Sequence, residues 1–398
     1  MALHRMEPLE IASGWLADSP CPPLPAPPGP APRRLLDALL VPLLARPPCL
    51  VAFSGGRDSS ALLAAAVAAA HREGLPPPVA ITLTYPDAPG AQESDWQRRV
   101  LDHLGVTERV VLVVHDEHDA VGPVAAPLLR RHGVIWPPNV APTWRMMDRA
   151  RGGSLLTGEG GDEVFGVKRI TALTKLLHTR TRADRRLVPL AAQALAPAAF
   201  RRRTARRESY RPPWLRADAW REVLRRHLDD VAAEELHAGR QTWQLASHRG
   251  SRIGYATLRA LGEEIGVRYV QPFVDPGFVA ATAAEAGFWG WTGRTTAMRH
   301  LFDDLLPRAV LERATKATFN GAVFAAHTRD FARGWTGDGV DHDLVDAAVL
   351  REHWLSPLPH APSMALLHQA WLAEGGTTGQ TISNRGIGNT SLPPHSRT

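Results

Sequence analysis

Short apolar runs alternate with longer amphipathic stretches in the first half of this chain. The runs at residues 49–53, 78–84, 108–114 and 154–157 have the length and composition of buried parallel strands. The stretches between them place apolar residues at helical spacing. Strand and helix alternate at a rhythm that predicts an α/β fold, a doubly wound and mostly parallel sheet with helices on both faces.

The same periodicity predicts a helix before the first strand and further helices between the strands. These predicted helices span residues 33–46, 59–71, 94–104, 120–132 and 143–151. Right-handed crossovers then bring the loops after the first and fourth strands to the carboxyl edge of the sheet, where such sheets bind ligands.

After Gly166 the strand signal fades, and the second half of the chain is predicted to be mainly helical. Residues 167–240 are helical in pattern, with many arginines between residues 180 and 226. Residues 241–350 continue as helices joined by loops that contain glycine and proline. No internal repeat is visible.

The chain is therefore predicted to form one large domain with two unstructured ends. Residues 1–33 are polar and then proline-rich, which predicts an extended lead-in. Residues 34–372 form the domain, with the sheet in 34–166 and the helical part in 167–372. Residues 373–398 are small and polar, and we expect them to be disordered.

Composition narrows the class of protein. Of the 398 residues, 44% are hydrophobic and 22% are charged, as in a soluble globular protein. There is no signal peptide pattern and no apolar run long enough to span a bilayer, which predicts a cytoplasmic protein that does not bind membranes. Two cysteines, Cys21 and Cys49, form no CxxC or zinc motif and fit a reducing compartment.

The formal net charge of +6 permits binding of phosphates, nucleic acid or an acidic peptide. Much of the excess lies in the arginine-rich segment at 180–226. That segment could form solvated helix faces or a groove for an acidic peptide. Nucleic acid is disfavoured as a partner, because aromatic residues do not interleave with the arginines and no RNA-binding module is recognisable.

The segment SGGRDSS, residues 54–60, follows the first predicted strand and begins the next helix. Glycines allow a sharp turn and a close backbone approach, and a helix N-terminus with free N–H groups and hydroxyls binds anions. Asp58 would repel a phosphate, so we expect Mg²⁺ between them. A simple turn with a helix cap is the alternative. The segment is neither a Walker loop nor a dinucleotide fingerprint. It resembles the pyrophosphate loop of N-type ATP pyrophosphatases.

A second loop, TGEGGDEVFG at residues 157–166, follows the fourth predicted strand. Three carboxylates within five residues are costly unless a cation joins them. Asp162 would lie beside Asp58 on the same sheet edge and could supply a second contact to Mg²⁺. Taken alone, this could also be an ordinary polar loop or a calcium-type loop.

Together the two loops resemble the synthetase domain of asparagine synthetase. Two later segments extend the resemblance, VQPFVD at residues 270–275 and LPR…RATKATF between residues 306 and 319. The resemblance covers about residues 35 to 335 in the family's order. It implies ATP as the cofactor and cleavage of ATP to AMP and pyrophosphate.

The resemblance also implies nucleotide and metal ligands. Asp58 and Asp162 would bind Mg²⁺. The residues implied to hold pyrophosphate are Ser54, Gly55, Gly56, Asp58 and Ser59. Adenosine would be held by the backbone near Ala52, Leu83, Thr157 and Gly158.

Two catalytic roles follow from the same resemblance. Lys316 would stabilise the charge on the departing pyrophosphate and on the tetrahedral intermediate. Glu159 would lie near the activated carboxylate and position or deprotonate the amine. Glu163 would support the loop as a partner in an ion pair. The alternative for Lys316 is a solvated basic face shared with Arg308 and Arg313.

Several positions depart from the family pattern. Ala2 stands where the family's glutaminase nucleophile would be a cysteine, so we expect no glutaminase activity and an amine from free ammonia, from a separate ammonia-supplying partner or from the substrate. Arg57 replaces an aliphatic residue, and Gly166 is followed by Val167 and Lys168.

The function predicted is that of an ATP-dependent, AMP-forming ligase that joins a small-molecule or peptide carboxylate to an amine. One alternative is a tailoring enzyme that forms amides or macrolactams, because RPPWLR at residues 211–216 resembles lasso peptide cyclases. β-Lactam synthetases are less similar, because they carry tyrosine where Glu159 stands. A degenerate nucleotide-binding module is another alternative, opposed by intact Asp58, Asp162 and Lys316. Modification of tRNA or of thiols is a further alternative, which is disfavoured because no cysteine lies near the two loops.

Overall fold

The computed structural model describes residues 3–17, 20–87, 93–178, 185–313 and 323–375. Within them, one parallel sheet has the strand order β3-β2-β1-β4-β5. The strands are β1 (Cys49–Ala52), β2 (Val79–Thr84), β3 (Arg109–Val113), β4 (Ser154–Leu156) and β5 (Arg268–Val270).

Helices cover both faces of this sheet and make up most of the second half of the chain. In the first half they are α1 (Pro8–Ser13), α2 (Pro32–Leu44), α3 (Arg57–Glu73), α4 (Ser94–Leu104), α5 (Ala125–His132), α6 (Ala141–Arg149), α7 (Gly161–Phe165), α8 (Thr171–His178) and α9 (Leu187–Leu195). They continue as α10 (Ala198–Glu208), α11 (Ala217–Ala233), α12 (Ala238–Ala246), α13 (Arg249–Glu264), α14 (Pro276–Ala286), α15 (Arg294–Phe302), α16 (Arg308–Leu311), α17 (Ala326–Gly334), α18 (Ala347–Leu355) and α19 (Met364–Ala373).

The strand order places a topological switch point between β1 and β4. The chain runs outward from β1 through β2 to β3, then returns to the other side of β1 with β4. Val51 lies beside Ala80 on one side and Leu156 on the other, with both pairings parallel. The loops after β1 and β4 therefore leave the same edge side by side, which is where open sheets bind ligands. The predicted doubly wound fold is confirmed.

The fifth strand was not predicted, because no strand was expected after Gly166. β5 is only three residues long, and Tyr269 alone is buried in it. Pairing with β4 defines it, through Leu155 opposite Tyr269 and Leu156 opposite Val270. So short a run carries no periodicity of its own, and the strand exists because β4 offers an unpaired edge.

The prediction of an extended lead-in was wrong for its first part. Pro8–Ser13 forms α1, closed by a capping box between Glu7 and Glu10. Glu10 is buried and forms an ion pair with Arg249 of α13. The Trp214 indole donates to the carbonyl of Ala12 at 2.9 Å. Tertiary contacts thus stabilise a helix too short to persist alone.

Two hydrophobic clusters are the largest parts of the core among the described residues. The first joins the sheet to α2, α3, α14 and α15. The second lies among the C-terminal helices around four tryptophans that are almost fully buried, namely Trp214, Trp335, Trp354 and Trp371. Trp214 is therefore a core residue.

Four phenylalanine rings connect the elements that carry the functional loops. Phe165 of α7 packs edge to face against Phe273, Phe278 and Phe302, with ring centroids 5.1, 6.4 and 6.0 Å away. All four rings are buried. Since α7 follows β4 directly and Phe302 lies on α15, this cluster fixes the loop after β4 relative to α15.

We expect Phe165→Ala to lower the free energy of unfolding by about 3–5 kcal/mol, because it removes a ring from a closed aromatic cluster. Urea unfolding followed by circular dichroism measures the loss. Phe200→Ala is the control, since that ring is 55% exposed. Equal effects of the two substitutions would contradict the role assigned to the cluster.

Candidate active site

The glycine-rich loop between β1 and α3 is held in shape by its own serines. Gly55 has a φ of +84°, a backbone conformation that favours glycine. The Ser54 and Ser59 hydroxyls lie 3.1 Å apart, and the Gly56 N–H donates to Ser54 Oγ at 3.3 Å. Gln97 of α4 donates to the Ser54 carbonyl at 3.3 Å. The predicted loop therefore ends at the N-terminus of α3, with Asp58 in the first turn.

Glycines also let the acidic loop after β4 touch the start of α3. A Cβ added to Gly158 would lie 2.9 Å from both the carbonyl carbon of Asp58 and the nitrogen of Ser59. A Cβ on Gly161 would lie 2.4 Å from Asp58 Cγ. Gly160, with a φ of +89°, is pressed against Val274. The two predicted loops thus meet in space, at a spacing only glycine permits.

Asp58 and Asp162 are brought together, as predicted, and an arginine bridges them. The Arg294 guanidinium donates to both carboxylates, with one nitrogen to each. Arg294 was not predicted. It is the first residue of α15, where the helix dipole opposes a positive charge, and this placement was a signal that sequence reasoning missed.

The electrostatics of this cluster show why a counter-ion is needed. Burial raises the pKa of Asp58, while Arg294 opposes that rise. Burial alone would lower the pKa of Arg294, and the two aspartates overcome it and raise the value. Asp58 Oδ1 is nonetheless buried with no hydrogen-bond partner among the described residues.

This donor set fits a hard divalent cation. Two carboxylates, one with an unused buried oxygen, are ligands that Mg²⁺ accepts, and the rest of its shell is usually water and substrate phosphate. In the described ranges, no cluster of three or more His, Cys, Asp or Glu side chains could hold a metal by itself. Phosphate oxygens would have to complete the coordination.

Glu159 is oriented by two residues at the end of β5. The Tyr269 hydroxyl donates to Glu159 Oε2 at 2.8 Å, and Gln271 Nε2 donates to the same oxygen at 3.0 Å. The Tyr269 hydroxyl also lies 3.3 Å from Thr157 Oγ1. Burial, followed by the charge of Glu159, raises the pKa of Tyr269 well above its usual value, so this hydroxyl stays a donor. Neither Tyr269 nor Gln271 was predicted as a site residue.

The prediction that Glu163 forms an ion pair was wrong. Within the described part of the chain, no basic group lies within ion-pair distance of its carboxylate, and burial raises its pKa. Lys168 supports the loop instead, since its ammonium donates to the carbonyls of Glu163, Val164 and Gly166 at 3.0, 3.2 and 2.8 Å. Burial lowers the pKa of Lys168 to about 8.

Lys316 lies outside the described residues, so its catalytic role stays a prediction. The chain before it is anchored at Arg313, which donates to the Gly55 carbonyl at 2.8 Å and pairs with Glu93. Both side chains are less than one-tenth exposed. Arg313 therefore does not belong to a solvated basic face, which was the alternative prediction for this segment.

The chain after Lys316 is anchored as well. The Ala120 N–H donates to the Val323 carbonyl at 2.9 Å. The buried carboxylate of Asp119 accepts from Thr328 Oγ1 at 2.6 Å and from the Thr328 N–H at 3.1 Å. Both ends of the segment that contains Lys316 are thus fixed, one of them to the glycine-rich loop itself.

A family model for asparagine synthase matches residues 33–373 of the chain. The chain belongs to the asparagine synthase family. Membership makes it an ATP-using ligase that forms C–N bonds, as predicted, and the match leaves out only short segments at either end. A search among curated proteins finds no match. None of the described helices has both the length and the apolar composition that crossing a bilayer requires.

For an asparagine synthase family member, the adenosine ligands are expected along the carboxyl edge. Ala52 and Leu83 lie at or near the ends of β1 and β2, and Thr157 and Gly158 follow β4. The Thr157 N–H is already used, since it donates to the Val270 carbonyl at 3.0 Å. Their contacts with adenosine remain a prediction.

Arg57, a departure from the family pattern, extends from the glycine-rich loop toward α15 and α16. Its guanidinium donates to Thr295 Oγ1 at 3.4 Å and to the Leu311 carbonyl at 3.5 Å. Burial and then the charge of Arg294 lower the pKa of Arg57. The substitution therefore adds a second guanidinium beside Asp58 without breaking the loop.

We expect Gly158→Ala to weaken the binding of Mg·ATP about tenfold or more, because the new methyl group must displace the backbone of α3 at Asp58. Isothermal titration calorimetry measures the change. Gly334→Ala is the matched control, since a Cβ there meets no atom within 4 Å. An unchanged affinity of Gly158→Ala would show that the contact between the loops is dispensable.

Proposed function

We propose that this protein is a carboxylate–amine ligase that releases AMP and pyrophosphate. The observation that supports the proposal is the convergence of the glycine-rich loop and the acidic loop on a single cationic position between Asp58 and Asp162. Such a position at the switch point of a parallel sheet suits a nucleotide triphosphate held with Mg²⁺.

In the first half-reaction an oxygen of the acid attacks the α-phosphorus of ATP. The bond from that phosphorus to the bridging oxygen breaks, and pyrophosphate leaves with that oxygen. The N–H groups of the loop and the hydroxyls of Ser54 and Ser59 would bind the departing group, and Lys316 would stabilise its charge. Asp58 and Asp162 would hold Mg²⁺, which when bound neutralises phosphate charge.

In the second half-reaction an amine nitrogen attacks the carbonyl carbon of the acyl-adenylate. The amide bond forms, AMP leaves, and the amine loses a proton. Glu159 would accept that proton, since its carboxylate is held by two neutral donors, Tyr269 and Gln271, and has no basic partner among the described residues. The amine is ammonia, whether free or from a partner, or an amine of the substrate.

A pocket beside Glu159 is where we place the acid. It has a volume of about 400 Å³ and lies at the carboxyl end of β5, and its wall includes Val274, which packs against Gly160 of the acidic loop. Tyr269 and Gln271, the two donors to Glu159, form part of its wall, together with Tyr255. Arg259 of α13 is exposed at the same pocket and would attract a carboxylate.

We expect AMP and pyrophosphate to appear in equal amounts when the protein is incubated with ATP, Mg²⁺, an amine and a panel of acids. Asp58→Asn should reduce turnover by about a hundredfold or more, because Mg²⁺ loses a charged ligand and pyrophosphate is then held less well through the metal. Asp218→Asn is the control, since that carboxylate is largely exposed on α11. Formation of ADP with the active acid would refute the proposed reaction, and full activity of Asp58→Asn would refute the metal assignment.

For the acid found active in that panel, we expect Arg259→Ala to raise KM about threefold to tenfold with little change in kcat, because a rim charge contributes to binding more than to the transition state. Steady-state kinetics with varied acid measures both constants. Arg268→Ala, at the amino end of β5, is the control for loss of a nearby exposed charge. An unchanged KM in Arg259→Ala would show that the acid does not bind beside Arg259 in this pocket.

A further inference from the structure

The first turn of α15 faces the two functional loops. Arg294 begins this helix directly after Gly293, and its side chain is one-fifth exposed. The next residue, Thr295, accepts a hydrogen bond from Arg57 of the glycine-rich loop. Phe302 at the other end of α15 belongs to the aromatic cluster. The position of Arg294 is therefore fixed by packing at one end of the helix and by polar contacts at the other.

The Arg294 guanidinium occupies the space between Asp58 and Asp162. Its two terminal nitrogens each donate to one carboxylate, while its Nε is buried with no partner among the described residues. A planar guanidinium can bridge two carboxylates in this way, which a point charge such as an ammonium cannot do as well. The side chain thus replaces the positive charge that two neighbouring carboxylates require.

A divalent cation and Arg294 compete for this position. Mg²⁺ can approach Asp58 through Oδ1, which has no partner among the described residues, but the same carboxylate already holds the guanidinium through Oδ2. A cation bound by both carboxylates would therefore lie against a guanidinium of like charge. That repulsion favours movement of Arg294 away from the carboxylates when the metal binds.

A phosphate group gives the displaced guanidinium a suitable new partner. Arg294 lies at the N-terminus of α15, close to the N-terminus of α3 where the proposed function places pyrophosphate. The planar fork of an arginine matches phosphate oxygens as well as carboxylate oxygens. Arg57, which donates to Thr295 beside Arg294, brings a second positive charge to the same place, so an anion between the two guanidiniums would relieve their repulsion.

We propose that Arg294 is an internal counter-ion, which occupies the cation position in the nucleotide-free enzyme and moves to the phosphates of ATP when the cation binds. This inference rests on the proposed metal site. It makes the binding of cation and nucleotide mutually dependent, since the cation displaces the guanidinium and the phosphates of ATP give the guanidinium a new partner. The enzyme would bind little metal before ATP arrives.

Metal binding without nucleotide tests the first half of this proposal. We expect Arg294→Ala to bind Mn²⁺, measured by electron paramagnetic resonance in the absence of ATP, about tenfold or more tightly than the unaltered protein, because the cation no longer breaks two charge-assisted hydrogen bonds. Arg299→Ala is the matched control, since Arg299 lies on the same helix and is paired with Asp303. Equal or weaker Mn²⁺ binding by Arg294→Ala would overturn the proposal.

Nucleotide binding without metal tests the second half. In the presence of a chelator, we expect Arg294→Ala to bind ATP about tenfold more weakly than the Arg299→Ala control, because one phosphate ligand is lost. Equal ATP affinity would overturn the transfer to phosphate. Circular dichroism checks folding, and Arg294→Gln, which can still donate to one carboxylate, provides the same two measurements if the alanine variant does not fold.

Failure of this inference differs from failure of the proposed function. If Asp58→Asn and Asp162→Asn both leave Mn²⁺ binding with ATP unchanged, the metal assignment itself is wrong. If those variants lose Mn²⁺ while Arg294→Ala binds it as the unaltered protein does, the metal site stands and only the role of Arg294 is refuted.

Discussion

The close contact between the loop after β1 and the loop after β4 is the constraint on which the rest of the site depends. It brings two carboxylates, Asp58 and Asp162, to one position at a partly buried sheet edge. Carboxylates so placed repel each other and lose hydration, which costs several kcal/mol in order of magnitude unless a cation offsets it. The glycines at 158 and 161 permit the contact, and the positive charge between the carboxylates stabilises it.

The surrounding structure holds that contact from three directions. Phe165 anchors the acidic loop to the aromatic cluster and, through it, to α15. Lys168 holds the carbonyls at the end of α7. Arg313 ties the glycine-rich loop to Glu93 and to the segment that leads to Lys316. Each anchor is a buried or nearly buried group, so packing and hydrogen bonds hold the two loops together.

Membership of the asparagine synthase family accounts for the ATP chemistry, and one departure from the family pattern, Arg57, changes the charge beside the glycine-rich loop. Arg57 adds a guanidinium where the resemblance leads one to expect an aliphatic side chain, and it contacts α15 and α16. Arg294 adds a second one on the first turn of α15. A polyanion such as the triphosphate of ATP would be attracted to this pair, and two guanidiniums held close together favour that outcome over an empty site.

The sequence by itself determined the first four strands, the helices between them and the two functional loops, because glycine turns, helix starts and apolar periodicity are local signals. It also identified the family, since the motifs SGGRDSS and TGEGGDE and the distance between them can be recognised without a structure. Only the tertiary structure decided β5, α1, the Arg294 bridge and the pairing of Arg313 with Glu93. Each of these features requires contacts between residues 110 to 240 positions apart in the sequence, or pairing with the edge of another strand. No local sequence pattern indicates which distant residue will be the partner.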